Sequence, residues 1–305
     1  MGTPAAGVQY GYCRLETQKP LLNDVAPGQP EPPGGVYLCQ VGETVSCGAC
    51  CGLYNLADAS RGRLQVMLAR RTERFRRTPR TPEAIDAFQA EMDPAEPRPR
   101  PFHDFYHCPF VGLVGEGGRR VGCLLHPLSA GNGGIDYRGL SFYGGLACRE
   151  YFCPSCRLLD PAVKALVRAA CDDWYLYGLA ITEERLLAAF FGEVERRLNR
   201  PLPASPGELR PEALAAVAAF LRLKLDWPFR GPGWKGPAHY IFNDGLHPRP
   251  AVDYARLGAA PSPHDAILQE LESEPVSPAE LAAAEAAIER ALQRTVAALR
   301  PQPGY

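Results

Sequence analysis

Apolar positions follow two textures along the chain. Beyond about residue 158 they recur at three- and four-residue intervals, the period of amphipathic helices. The starts of these segments share one grammar, an N-cap residue followed by Pro: Asp160-Pro161, Ser205-Pro206, Ser262-Pro263 and Ser277-Pro278. Ser205 with Glu208 and Ser277 with Glu280 also have the spacing of a capping box, in which the two side chains satisfy each other's free amides. The pattern predicts helices over 161–177, 183–198, 206–224, 263–273 and 278–299, interrupted by a Trp-, Gly- and Pro-rich loop over 226–250.

Before residue 158 the apolar runs are shorter. Leu64, Met67, Leu68 and Phe75 fall at helical spacing, with Arg63, Arg70, Arg74 and Arg77 on another face, which predicts a helix over 62–77. Thr81-Pro82-Glu83 opens a second, running to Met92, with Thr as cap and Pro at the first helical position. Val36–Val41 reads as a short strand. Residues 1–35, with Pro30, Pro32, Pro33, Gly34 and Gly35, read as an extended arm, and 93–101, with Pro94, Pro97, Pro99 and Pro101, as an extended linker. No repeat of fixed period occurs. The expected fold is mainly α: an arm (1–35), an irregular Cys-rich metal-stapled module (36–158, with a helical insertion over 62–92), and a C-terminal helical region (159–305).

Composition narrows the function. A chain of 305 residues can bury a full core without covalent staples. A formal charge of −1 gives no case for nucleic acid or an anionic membrane as partner. Neither a signal-peptide run nor the roughly 18 apolar residues of a membrane helix is visible, so the expected location is cytoplasmic. In a reducing compartment dense cysteine implies metal or redox chemistry, and the odd total of eleven argues against a paired disulfide scaffold.

Eight of the cysteines cluster. Cys47-Gly48-Ala49-Cys50-Cys51 is followed by Cys108, Cys123, Cys148 and Cys153-Pro154-Ser155-Cys156. A CxxC turn sets two thiolates about one tetrahedral edge apart, so the pairs Cys47/Cys50 and Cys153/Cys156 alone suffice for a four-thiolate site. Cys51 diverges from Cys50, as neighbouring side chains do, and points to a second ion or a multinuclear cluster. Cys108, Cys123, His126 and Cys148 are the remaining candidates, His126 through its two-residue spacing from Cys123. Spacing does not partition the ligands, and thiolate ligation suits Zn2+ and iron–sulfur clusters alike; the size of the pool leans to iron–sulfur. Arg149, beside Cys148, is placed to offset thiolate charge around a bound cofactor.

The order Cys47-Gly48-Ala49-Cys50-Cys51, Cys108-Pro109-Phe110, Gly122-Cys123-Leu124-Leu125-His126-Pro127 and Cys148-Arg149-Glu150-Tyr151-Phe152-Cys153 resembles the CxxCxxCC cysteine-cluster family of YkgJ type. These are described as putative zinc- or iron-chelating, or iron–sulfur, domains. The resemblance covers roughly residues 44–156 and implies metal binding rather than a reaction. Where the family pattern begins with a cysteine this chain has Thr44, with Cys39 or Cys156 as substitutes. A glycine-rich insertion also separates His126-Pro127 from Cys148-Arg149. Flagellin lysine N-methylase carries a similar region, which keeps a metal-dependent enzyme, a protein N-methyltransferase or a redox enzyme, as the alternative. No Gly-rich strand-to-helix loop for S-adenosylmethionine is visible.

Other features take plainer readings. Cys13, Cys39 and Cys171 read as structural thiols. His103 and His107, four apart, would share a helix face, but the prolines before them argue against that helix. A thioredoxin-like use of either CxxC lacks its βαβ context. The arginines between Arg61 and Arg80 form a solvated face or a seat for an acidic partner. Trp174, Tyr175 and Tyr177 read as core.

Overall fold

A computed structural model describes residues 31–93, 100–205 and 209–300. The architecture is mainly α. Helix α1 spans Arg61–Arg76 and α2 Pro82–Met92, the latter capped by the Thr81 hydroxyl, which accepts the Ala84 N–H at 3.3 Å. A hairpin of β1 (Val111–Val114) and β2 (Arg120–Cys123) follows, antiparallel with Val111 opposite Cys123. Then come α3 (Gly144–Glu150), α4 (Pro154–Leu158), α5 (Pro161–Ala170), α6 (Trp174–Ile181), α7 (Glu184–Leu198), α8 (Pro211–Asp226), α9 (Tyr254–Leu257), α10 (Asp265–Glu270) and α11 (Pro278–Leu299).

Most expected helices stand, with local differences. The segment over 161–177 is two helices, because the Asp173 carboxylate accepts the Tyr175 and Leu176 N–H groups and caps a new start after the extended Cys171. The helix expected over 206–224 starts at Pro211; the proposed partners of Ser205, residues 206–208, lie outside the described residues. Most of the 93–101 linker and residues 1–30 of the 1–35 arm also lie outside them, and the described end of the arm forms a 3-10 turn over Pro33–Gly35 instead of extended chain. The capping box at α11 forms nearly as expected: Ser277 Oγ accepts the Glu280 N–H at 3.2 Å, while Glu280 Oε2 accepts the Val276 N–H at 2.9 Å. The strand expected over Val36–Val41 is reduced to a single bridge, Gln40 to Ser46. The β1–β2 hairpin was not legible, since Val111-Gly112-Leu113-Val114 is too short and Gly-rich to show an alternating pattern.

Packing crosses the boundary expected near 158. The helical core of α5–α8, α10 and α11 includes Val36, Leu38 and Val45 from the amino-terminal segment, and Tyr177 Oη donates to Leu38 O at 2.9 Å. Trp174, Tyr175 and Leu179 join a second core with Leu53, Tyr54, Leu64 and Phe105. A third lies under α2, where Phe75, Phe88 and Phe110 contact one another. The loop over 226–250 straps these parts together: Trp227 Nε1 donates to Ser273 Oγ at 2.9 Å, and Tyr240 and Phe242 pack on Phe105. Among the described residues no helix is long and apolar enough to cross a membrane.

Candidate cysteine site

The ten described cysteines are free thiols, and nine of them lie near enough to another of the nine to feel or exert its charge. The amino-terminal bridge brings Cys39 beside Cys47, whose N–H donates to Cys39 O at 2.8 Å. A 3-10 turn over Ala49–Cys51 folds the CxxCC segment back, and Gly52 closes it at φ +72°. Only glycine fits there, because a Cβ would run into the Tyr106 carbonyl. That close approach lets Cys51 O accept the Cys108 N–H at 2.9 Å. Cys108 leads into β1 and Cys123 ends β2, so the hairpin register returns the second near the first. Cys148 lies in α3, its sulfur 3.1 Å from Ser141 Oγ; Cys153 caps α4, which contains Cys156.

Eight of these thiols sense their neighbours. Burial first, then charge on Cys50 and Cys153, pushes the Cys39 thiol up. Cys47 is raised by burial and then by Cys50. The hydrogen bond between Cys50 and Cys51 lowers the first and raises the second, which is raised further by burial and by Cys50, Cys108 and Cys123. Cys108 is raised by burial and Cys123; Cys123, by burial and Cys148, reaches about 12. Cys153 is drawn down to about 7 by a hydrogen bond with Cys156 and by local backbone N–H groups, whereas Cys156 goes up. Without a cation, these thiols resist ionising together.

Buried cations flank the cluster. Lys164, 1% exposed, donates to Cys156 O at 2.8 Å and Pro33 O at 3.0 Å. Arg71, equally buried, donates to Cys108 O and Val111 O at 3.2 Å. The guanidinium whose charge reaches Cys123 and Cys148 is Arg138. Arg149 instead is half-exposed, donates to Gly145 O and lies 3.6 Å from Asp136.

His126 sits at the margin. Its Nδ1 accepts the Leu128 N–H at 3.1 Å, and burial, then Arg138, lowers its pKa. His103 is exposed, whereas His107 is buried, its Nδ1 bonded to Gly52 O and its Nε2 accepting from Arg71; the pair shares no helix face. Cys171 lies apart at the end of α5, near Asp172 and Asp173. Among the arginines from 61 to 80, Arg61 pairs with Asp173, Arg74 with Glu91, Arg76 and Arg77 with Glu73, and Arg80 stacks on Phe75. Arg63 and Arg70 remain exposed.

Two features carry no sequence signal. A cleft of about 390 Å³ opens beside the Cys153–Cys156 turn, walled by Tyr151, Phe152, Pro154 and Leu158 on one side and Phe242 and Asn243 on the other. The second is a buried charge network. Glu183, 2% exposed, meets Lys224 Nζ and Arg249 Nη2, each at 2.5 Å, and Arg249 also meets Glu270 at 2.8 Å. Burial opposes ionisation of Glu183, but Arg249, His239 and Lys224 together hold its carboxyl far below the usual range. His239 Nε2 donates to Thr182 O at 3.2 Å, and its Nδ1 lies 3.1 Å from Glu183 Oε1 without the alignment of a hydrogen bond.

Thiols are the donors a thiophilic metal takes, but among the described residues no three His, Cys, Asp or Glu side chains stand as a group that could hold an ion. Comparison with protein-family models, with curated proteins and with solved structures gives no match.

Proposed function

We propose that this chain is a metal-binding protein whose cysteine cluster holds an iron–sulfur cluster or Zn2+ in a structural or electron-carrying role. The observation that carries the reading is that nine free thiols, from segments as far apart as Cys39 and Cys156, lie near enough to feel or exert one another's charge, beside buried cations. Packing alone gives no reason to gather so many thiols whose ionised forms repel. A thiophilic cation removes that repulsion by taking the thiolates as ligands, with release of their protons. The pool exceeds the four ligands of one zinc, which favours iron–sulfur. Cys47, Cys50, Cys51, Cys108, Cys123, Cys148, Cys153 and Cys156 are the ligands on this reading, with His126, whose Nδ1 meets the Leu128 N–H, as a further candidate through Nε2.

Anaerobic purification with metal analysis and a visible spectrum tests it. Iron with a brown chromophore supports the cluster form, and stoichiometric zinc in a colourless protein supports the zinc form. A chain that neither carries nor takes up either metal refutes the proposal.

The cleft beside Cys153 favours a second reading, a metal-dependent enzyme of methyl-transfer or redox type with its substrate between Tyr151 and Phe242. That reading requires an open coordination position. A metal spectrum unchanged by small exogenous ligands counts against it.

A further inference from the structure

The chain holds two CxxC turns, and the fold treats them differently. In the first, each sulfur turns to another group: Cys47 Sγ donates to Gly178 O at 4.0 Å, and Cys50 bonds Cys51. In the second the two sulfurs meet each other. Cys156 N–H donates to Cys153 O at 3.0 Å, which closes the turn, and Pro154 at the first helical position fixes its backbone. The thiols of Cys153 and Cys156 hydrogen-bond directly.

The two thiols are unequal. Cys156 is 1% exposed and gives its hydrogen bond, whereas Cys153 is half-buried and receives it, together with those of the Cys156 N–H, the Ser155 N–H and the Ser155 hydroxyl. Donors gathered on one sulfur suit it to attack and leave the other as its internal partner. Phe152 and Pro154, on either side of Cys153, both line the cleft of about 390 Å³, whose walls also include Tyr151, Leu158 and Phe242. A molecule that seats an apolar group there brings its neighbouring atoms toward Cys153.

The geometry points to the Cys153–Cys156 turn as a thiol–disulfide exchange site for organic disulfides flanked by apolar groups. The Cys153 thiolate attacks one sulfur of the substrate disulfide, forming a mixed disulfide and releasing the other half as a thiolate. Cys156, losing its proton, then attacks the Cys153 sulfur, which closes a Cys153–Cys156 disulfide and releases the second half. Two electrons pass to the substrate, which leaves as two thiols carrying the two protons that the pair gave up. A dithiol reductant resets the turn by the reverse exchange. Among the described residues no βαβ unit surrounds the turn, but the chemistry requires paired sulfurs and access rather than one fold. The inference goes beyond the metal-binding reading and does not rest on it: it concerns the reduced, metal-free chain, and a metal held by these two thiols suspends the exchange.

The test uses the full chain, reduced and stripped of metal by a chelator, with the disulfide dimer of a short peptide that carries Phe and Leu beside its cysteine. Wild type should convert the dimer to free peptide thiol and acquire a Cys153–Cys156 disulfide, located by peptide mapping after alkylation. Cys156→Ser should stall with peptide linked to Cys153. Leu158→Asp, which alters a wall residue that is 60% exposed, should slow the peptide about tenfold and leave the reaction with oxidised glutathione unchanged. Circular dichroism checks that each variant keeps its helices. A wild type that leaves the peptide intact, or whose new disulfide joins other cysteines, overturns the exchange site with no substitution needed. Peptide trapped elsewhere than on Cys153 overturns the order of attack. Equal rates with the peptide dimer and oxidised glutathione, or an unchanged peptide rate in Leu158→Asp, overturn the apolar seat. None of these results touches metal uptake, which metal analysis reads separately.

Discussion

Replacing Lys224 by Met removes a buried ammonium of nearly the same shape. Lys224 is 1% exposed, its Nζ 2.5 Å from Glu183 Oε1 and 3.5 Å from Glu272 Oε1. Breaking one partner out of a buried pair costs about 3–5 kcal/mol, because the other charge is left uncompensated. Glu183 keeps Arg249 at 2.5 Å, which places the expected loss at the low end, about 3 kcal/mol. Glu183→Gln removes the charge that Lys224 compensates, so the double variant should lose less than the sum of the singles, with a coupling of about 1–3 kcal/mol. Urea denaturation of all four proteins at neutral pH, with the slope checked for constancy, reads these values. A Lys224→Met loss within about 0.5 kcal/mol, the range of an ordinary surface change, would show that the network does not hold the 226–250 strap. Strict additivity would show that the two charges act independently.

Four further outcomes follow. His239 is brought to about 4 chiefly by burial, below its ordinary 6.5, so the unfolded chain takes up its proton first. That stability is complete above pH 6.5 and declines by about 3 kcal/mol as pH falls toward 4; His239→Gln should flatten this part of the pH profile, and an unchanged slope would refute the assignment. Gly52→Ala meets both a positive φ and the Tyr106 carbonyl, so a loss of about 2 kcal/mol or more is expected in thermal unfolding, and a variant as stable as wild type would contradict the tight turn. Phe88→Ala empties the contact between Phe75 and Phe110 and should cost about 3–5 kcal/mol by denaturation; less than 1 kcal/mol would mean that core is loose. Ser277→Ala should cost about 1 kcal/mol through the α11 cap, and no change would show that Glu280 alone secures that end.

What the sequence disclosed was local. Thr81, Asp160 and Ser277 cap helices where their residue types require it, because a cap depends on three or four consecutive residues. Asp173 broke an expected helix by the same chemistry, but Trp174–Ile181 is apolar all round and gave no periodic face by which to see it. The cysteine spacing located the candidate site, yet the place of Cys39 depends on a bridge of one residue pair, far below what alternation reveals. Arg149 was the obvious neighbour of Cys148 in sequence, whereas the fold turns Arg138 toward the thiols through Asp136, which bonds its guanidinium. Glu183, Lys224, His239 and Arg249 come from two helix regions and a loop, so their encounter is a tertiary event with no motif.

X-ray absorption at the edge of the metal carried by anaerobically purified protein bears most directly on the central claim. An all-sulfur first shell at about 2.3 Å is predicted. A shell of oxygen and nitrogen, with the nine thiols still open to alkylation, would contradict it.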